Sequence, residues 1–339
     1  MKRNFIAKRF QSAGTGLTLD TAALAKYKDI VDLSIGDTDF TTDEAIINAA
    51  FRDAKAGHTH YGDPKGDPEL ISAVCKAWEE DFDQSLPRDH VLVSASSCLG
   101  MSLAMFAILD PGDEVIVPEP FYPNYHTFIT TAGGVIHPLH TKPEEGYFYA
   151  DRARIEACIT PKTKAIMITN PGNPTGTCLT IEQMKMLLDV AVEHDLYLVA
   201  DEVYREFTYD GEPLHSFGKF DYGQENLILI DSVSKRFSAC GARIGCLITR
   251  NRELMAHAMK YAQCRLSVPT LDQVASAALY DVGPEYFAAV REEFLPRYYL
   301  DDEQIPKIIA VDELPPDVDA LQQALNEKRG SEVQLYVPQ

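Results

Sequence analysis

Six short apolar runs punctuate the chain: Val91–Ser94, Glu114–Pro118, Ala165–Thr169, Leu196–Ala200, Leu227–Ile230 and Gly245–Thr249. Their hydrophobicity is continuous, not alternating, which predicts strands covered on both faces. Helical patterns lie between them. Thr180–His194 opens on a threonine with Gln183 three residues on, a capping-box signature, and Ile181, Met184, Leu187, Leu188 and Val192 fall on one face. Leu99–Leu109 reads as a second helix, stopped by Asp110-Pro111-Gly112. Strands alternating with helices predict an α/β layer around a mainly parallel sheet, with ligands at the carboxyl ends of the strands. Near the end of the chain, Glu285–Glu293 and Val318–Arg329 read as helical, and Glu332–Val337 alternates like a strand.

Length allows two domains, or one large domain with a satellite, because 339 residues stand against roughly 100–200 per domain. Acids outnumber bases, 51 to 31, for a net charge of −20. That balance disfavours nucleic acid and anionic membranes, both of which require clustered cations, and favours a small-molecule partner. Seven cysteines with no C-x-x-C spacing argue against a disulfide framework or zinc ribbon and fit a reducing cytoplasm. The basic start, Met1–Phe10, lacks the apolar run of a signal peptide, and no stretch reaches the roughly 18 apolar residues of a membrane span. His58 and His60 have no carboxylate or cysteine at ligand spacing, so no metal site is expected. Gly-x-Gly-x-x-Gly and Walker A sequences are both absent.

Four features sit just beyond the predicted strands. Asn170-Pro-Gly-Asn-Pro-Thr-Gly176 is a rigid turn; Asp201-Glu-Val-Tyr204 puts an acid at a strand mouth; Ser232-Val-Ser-Lys235 precedes Gly241-Ala-Arg243; and Ser96-Ser-Cys-Leu-Gly100 opens a helix. Singly, these read as a connecting turn, a helix cap, a solvated lysine and another cap. In this order and spacing, with Arg243 eight residues beyond Lys235, they resemble the class I/II aminotransferases, fold-type-I enzymes dependent on pyridoxal 5′-phosphate (PLP). The resemblance covers about residues 15–290, with supporting matches at Leu33–Gly36, Tyr61, Leu109–Pro118, Tyr122 and Tyr125.

The resemblance implies a role for each matching position. Lys235 forms a Schiff base with the cofactor aldehyde and then moves the substrate proton. Asp201 pairs with the pyridine nitrogen, and Tyr204 and Asn173 serve the ring oxygen. Ser96, Ser97, Cys98, Ser232 and Arg243 take the phosphate. Tyr122 stacks on the ring, and Tyr61 reaches the phosphate of the other subunit of a homodimer. Gly36 and Asn173 approach the substrate. The implied reaction moves an amino group between an amino acid and a 2-oxo acid. The alternatives are a carbon–sulfur β-lyase and a chain that binds PLP without efficient turnover.

The expected layout is an N-terminal small-domain segment at 1–48, a large PLP-binding domain at 49–280 and a C-terminal segment at 281–339. The match to the family is lost after about residue 293, and the arginine that clamps the substrate α-carboxylate in the family has no counterpart here, unless Arg297 or Arg329 replaces it. The tail from Phe294 to Gln339 resembles a piece of the C subunit of the bacterial nucleotide-excision endonuclease, at the entry to its nuclease half. Residues 301–339 carry nine acids against three bases, so this tail contributes part of the negative charge.

Overall fold

The computed structural model describes residues 44–208 and 215–290, with short pieces at 308–310, 322–323, 326 and 334–336. Gly36, Arg297 and Arg329 lie outside the described residues, as does most of the predicted helix at 318–329. The elements in chain order are α1 (Glu44–Lys55), α2 (Pro68–Phe82), β1 (Val91–Ser94), α3 (Ser97–Ile108), β2 (Glu114–Pro118), α4 (Asn124–Thr131), β3 (Val135–Leu139), α5 (Arg152–Glu156), β4 (Thr163–Thr169), α6 (Ile181–Glu193), β5 (Tyr197–Asp201), β6 (Leu227–Ser232), α7 (Val233–Arg236), β7 (Gly245–Ile248), α8 (Arg252–Arg265), α9 (Thr270–Leu279), β8 (Ile308–Ala310) and β9 (Gln334–Tyr336).

The chain divides into two units, Met1–Thr18 with Asp37–Glu206 and Leu214–Asp281, and Leu19–Gly36 with Phe207–Pro213 and Val282–Gln339. In the second, residues 284–290 are helical and β8 pairs with β9 in parallel.

The first unit holds a seven-stranded sheet in the order β1-β7-β6-β5-β4-β2-β3. Four neighbouring pairs are parallel, and β7 runs against both β1 and β6. All six predicted runs are strands. Their apolar continuity has the expected cause, because successive side chains enter different cores. Val115, Val117, Met167, Val199 and Ile230 join α3 and α8 on one face. Ile116, Ile166, Ile168, Leu198 and Ala200 meet α6 on the other.

Several boundaries differ from expectation. β4 begins at Thr163, β5 runs from Tyr197 to Asp201 itself, β6 runs on through Asp231 and Ser232, β7 stops at Ile248, and α3 starts at Ser97. In α6 the capping box is present, with Gln183 N–H donating to Thr180 Oγ1 at 3.3 Å and Thr180 N–H to Gln183 Oε1 at 2.9 Å. Val192 is nonetheless exposed, and Val190 and Ala191 are buried in its place. The pattern also gave no sign of β3. It is the edge strand, contains His137 and Pro138, and buries fully only Leu139; a proline fits there because an edge strand leaves some N–H groups unpaired. No described helix is long and apolar enough to cross a membrane.

Candidate active site

The topology brings the carboxyl ends of β1, β2, β4, β5 and β6 to one edge of the sheet, where β7 begins. Thr169, last in β4, is in register with Asp201, last in β5. Gly245, first in β7, is in register with both Ser94 and Ser232.

Asp201 is 4% exposed. Its carboxylate accepts from Tyr125 Oη at 2.6 Å and from the Val203 N–H at 3.3 Å. Burial pushes its pKa up to about 7, against the pull of those two hydrogen bonds. Both donors are neutral, and among the described residues no cation forms an ion pair with Asp201. Tyr204 lies beside it. Burial, the nearby Asp201 charge, Tyr122 and Cys240 push the Tyr204 phenol up to about 12, so it stays protonated at neutral pH. Asn173, in the turn after β4, donates from Nδ2 to Tyr204 Oη at 3.4 Å.

Lys235 stands in the short turn of α7 that follows β6, with Nζ 3.7 Å from Cys240 Sγ. Ser232 caps this turn: its Oγ accepts from the Ser234 N–H at 3.0 Å and donates to the Ile244 carbonyl at 2.9 Å. Ser96 enters α3 at φ 88° with no side chain capping the helix, so the first-turn N–H groups after it remain available to an anion. Tyr122, raised in pKa by burial and by neighbouring Cys98, accepts from Asn124 Nδ2 at 2.6 Å. Arg243 holds a left-handed backbone at φ 54° and donates from Nη1 to the Cys240 carbonyl at 2.8 Å.

The structure thus gathers Ser96–Cys98, Tyr122, Asn173, Asp201, Tyr204, Ser232, Lys235 and Arg243 at one edge. Tyr61 stands apart, 84% exposed. Two further residues belong to the site. Tyr125, quoted above only as a match, and Thr169 together support Asp201: Tyr125 Oη lies 2.5 Å from Thr169 Oγ1. The short spacing of Tyr122 and Tyr125 just before and within α4 was the available signal; their rings meet edge to face with centroids 5.6 Å apart. Beside them opens a cleft lined by Phe121, Tyr147, Tyr149, Asn173 and Thr175.

Known proteins place this arrangement. The profile of the aminotransferase class I and II family matches residues 28–295. The chain belongs to this family. An aspartate/prephenate aminotransferase of Thermus thermophilus is 36% identical over 248 residues, 73% of this chain and 63% of that protein. The chain therefore spans under two thirds of that relative's length. An aspartate aminotransferase of Bacillus subtilis is 33% identical over 301 residues, 85% of this chain and 75% of the relative. Among solved structures, the aspartate aminotransferase of Rhizobium meliloti superposes with a TM-score of 0.81 at 26% identity, over 87% of this chain and 75% of that one. That of Thermus thermophilus with maleate gives 0.80 at 32%, over 87% and 78%. A second profile, the UvrC ribonuclease H-like domain, matches residues 280–339. The tail thus resembles a second family, as its sequence suggested.

PLP is the cofactor that the family implies, and the residues present fit it. A buried carboxylate held only by neutral donors is the partner a protonated pyridine nitrogen needs. An uncapped helix start, serines and an arginine form a donor set suited to a phosphate.

Proposed function

We propose that this chain is a PLP-dependent aminotransferase that moves an amino group between an amino acid and a 2-oxo acid. The observation that carries the reading is buried Asp201, with no cation paired to it, grouped with Tyr204, Asn173 and Lys235 at the strand ends. PLP supplies a reactive aldehyde and an electron-withdrawing ring. The protein supplies the rest. Asp201 holds the ring nitrogen in its protonated state by charge. Tyr204 and Asn173 hold the ring oxygen. Ser96–Cys98, Ser232 and Arg243 hold the phosphate, and Tyr122 covers a ring face. Lys235 Nζ would hold the cofactor aldehyde and serve as the base that carries the proton from the substrate Cα.

We place the protein in the cytoplasm as a homodimer, since its seven cysteines are spaced for neither a disulfide framework nor a zinc ribbon and the exposed Tyr61 is open to a second copy. The large cofactor-binding domain is taken as 49–280, with 1–48 and 281–339 flanking it.

The test is absorbance on adding PLP and then amino acid. Wild type is expected to give a visible band that amino acid shifts and 2-oxo acid restores, and Lys235→Ala to give none. An identical band in both proteins refutes the role of Lys235. Pyruvate and thiol release from cystathionine, without interconversion by 2-oxo acid, assigns β-elimination instead.

A further inference from the structure

Tyr204 and Lys235 are each followed in the chain by an arginine, and the two arginines meet. Arg205 is 4% exposed and Arg236 is 7% exposed. Both reach the same oxygen of Asp81, Oδ2, at 3.2 and 3.1 Å. Both also approach Asp231 Oδ2, at 3.5 and 3.8 Å, and Glu206 Oε1, at 3.9 and 3.0 Å. Each guanidinium lies over an aromatic ring as well: Arg205 is 5.4 Å from the centroid of Phe82, and Arg236 is 5.1 Å from Phe237 and 5.6 Å from Tyr280.

Such a cluster is a poor way to gain stability alone, because burying five charges carries a desolvation cost that apolar side chains avoid. It is a good way to fix geometry. A planar guanidinium can hold carboxylates from different segments at set angles, and lysine cannot. Here the segments are the chain after β5 (Arg205, Glu206), the end of β6 and the end of α7 (Asp231, Arg236), and α2 (Asp81). The two side chains next to the arginines are the ones whose mutual placement the chemistry needs. Cys240 Sγ stands 3.7 Å from Lys235 Nζ, and Cys240 is among the groups that raise the Tyr204 pKa.

We propose that Arg205 and Arg236 are positioning residues: by sharing Asp81, Asp231 and Glu206 they lock the segment after β5 to the turn after β6, and so fix Tyr204 Oη relative to Lys235 Nζ. This rests on the aminotransferase reading above. Neither arginine touches cofactor or substrate; each acts through its neighbour in the chain.

The test uses Arg205→Lys, Arg236→Lys and Asp81→Asn. In the last, the least buried member of the cluster loses its charge but keeps its shape. PLP is bound to each protein and the pH midpoint of the Lys235-dependent visible band is measured. Loosening the Tyr204 hydroxyl weakens its hydrogen bond to the anionic ring oxygen, so the midpoint is expected to rise by about half a pH unit or more. In a Tyr204→Phe background the same substitutions are expected to add no shift, since the route runs through that hydroxyl. Unchanged midpoints with only a lower melting temperature, or an equal shift in the Tyr204→Phe background, overturn the proposal. If the lysine variants do not fold, D81N decides. If wild type forms no Lys235-dependent band, the aminotransferase reading fails, and labelling of the cofactor-free protein decides this inference. The trinitrophenylation rate of Lys235 is then expected to change severalfold in R236K and D81N, with Lys76 and Lys260 unaffected. Equal Lys235 rates overturn it.

Discussion

One hydroxyl ties the ends of two neighbouring strands: Tyr125 Oη donates to Asp201 Oδ2 at 2.6 Å and lies 2.5 Å from Thr169 Oγ1. Asp201 has few other partners, so the loss of this donor is felt at the carboxylate. Tyr125→Phe is expected to raise the Asp201 pKa further above about 7 and to leave less carboxylate at neutral pH. Removing one hydrogen bond to a buried charged group costs about 1–3 kcal/mol. We expect PLP affinity to fall about tenfold at pH 7, and by less at pH 8.5. Absorbance titration at the two pH values checks both parts, and an unchanged affinity removes Tyr125 from the site.

Burial of Asp201 also makes a prediction about the cofactor-free protein. Its folded pKa lies near 7 against an ordinary 3.8, because burial disfavours the charge. The folded state therefore holds the proton more tightly than the unfolded state. The contribution of Asp201 to stability is greatest at low pH and is lost as pH rises between about 4 and 7. Asn cannot ionise, so Asp201→Asn is expected to gain on wild type through that window and to keep the gain above it. Thermal unfolding without cofactor at pH 5 and pH 8 measures this; at pH 8 the variant is expected to melt about 4 °C or more higher. Glu202, also buried and raised to about 7, is present in both proteins and cancels. A gap that does not change with pH refutes the argument.

Much of this was legible in the sequence where one physical cause dominates. Buried strands must be apolar throughout, so β1, β2, β4, β5, β6 and β7 announced themselves. The capping box of α6 is a local exchange of hydrogen bonds, so Thr180 and Gln183 revealed it. β3 did not show, because an edge strand with His137 and Pro138 has neither a continuous nor an alternating apolar pattern. The role of Tyr125 was hidden for a different reason. Its partner is 76 residues away, and only the register of β4 with β5 brings Thr169 and Asp201 beneath it. The pairing of Arg205 with Arg236 is likewise invisible locally, since each reads as an ordinary basic residue after a motif.

The α6 cap gives a stability prediction free of cofactor chemistry. Thr180→Ala removes the acceptor of the Gln183 N–H and is expected to cost about 1 kcal/mol, a drop of about 2–4 °C in melting temperature. The two halves of the box serve one helix end, so Thr180→Ala with Gln183→Ala is expected to cost less than the sum of the single changes. Thermal unfolding of the three variants decides it, and strict additivity argues that the reciprocal bonds act independently.

Gly245 offers the sharpest structural test of the phosphate end. A Cβ there would stand 2.5 Å from Ser97 N, 2.6 Å from Ser96 C and 2.9 Å from Asp231 O. All three are backbone atoms, so no side chain can swing aside. Either the Ser96–Ser97 turn moves or β7 separates from its neighbours, at a cost of about 1–3 kcal/mol. If that turn holds the phosphate, Gly245→Ala is expected to weaken binding of PLP about tenfold more than binding of pyridoxal, which lacks the phosphate. Gly241→Ala, where a Cβ meets nothing within 4 Å, is expected to leave both affinities unchanged. An equal loss for pyridoxal and PLP in the Gly245 variant shows general damage and moves the phosphate away from the start of α3.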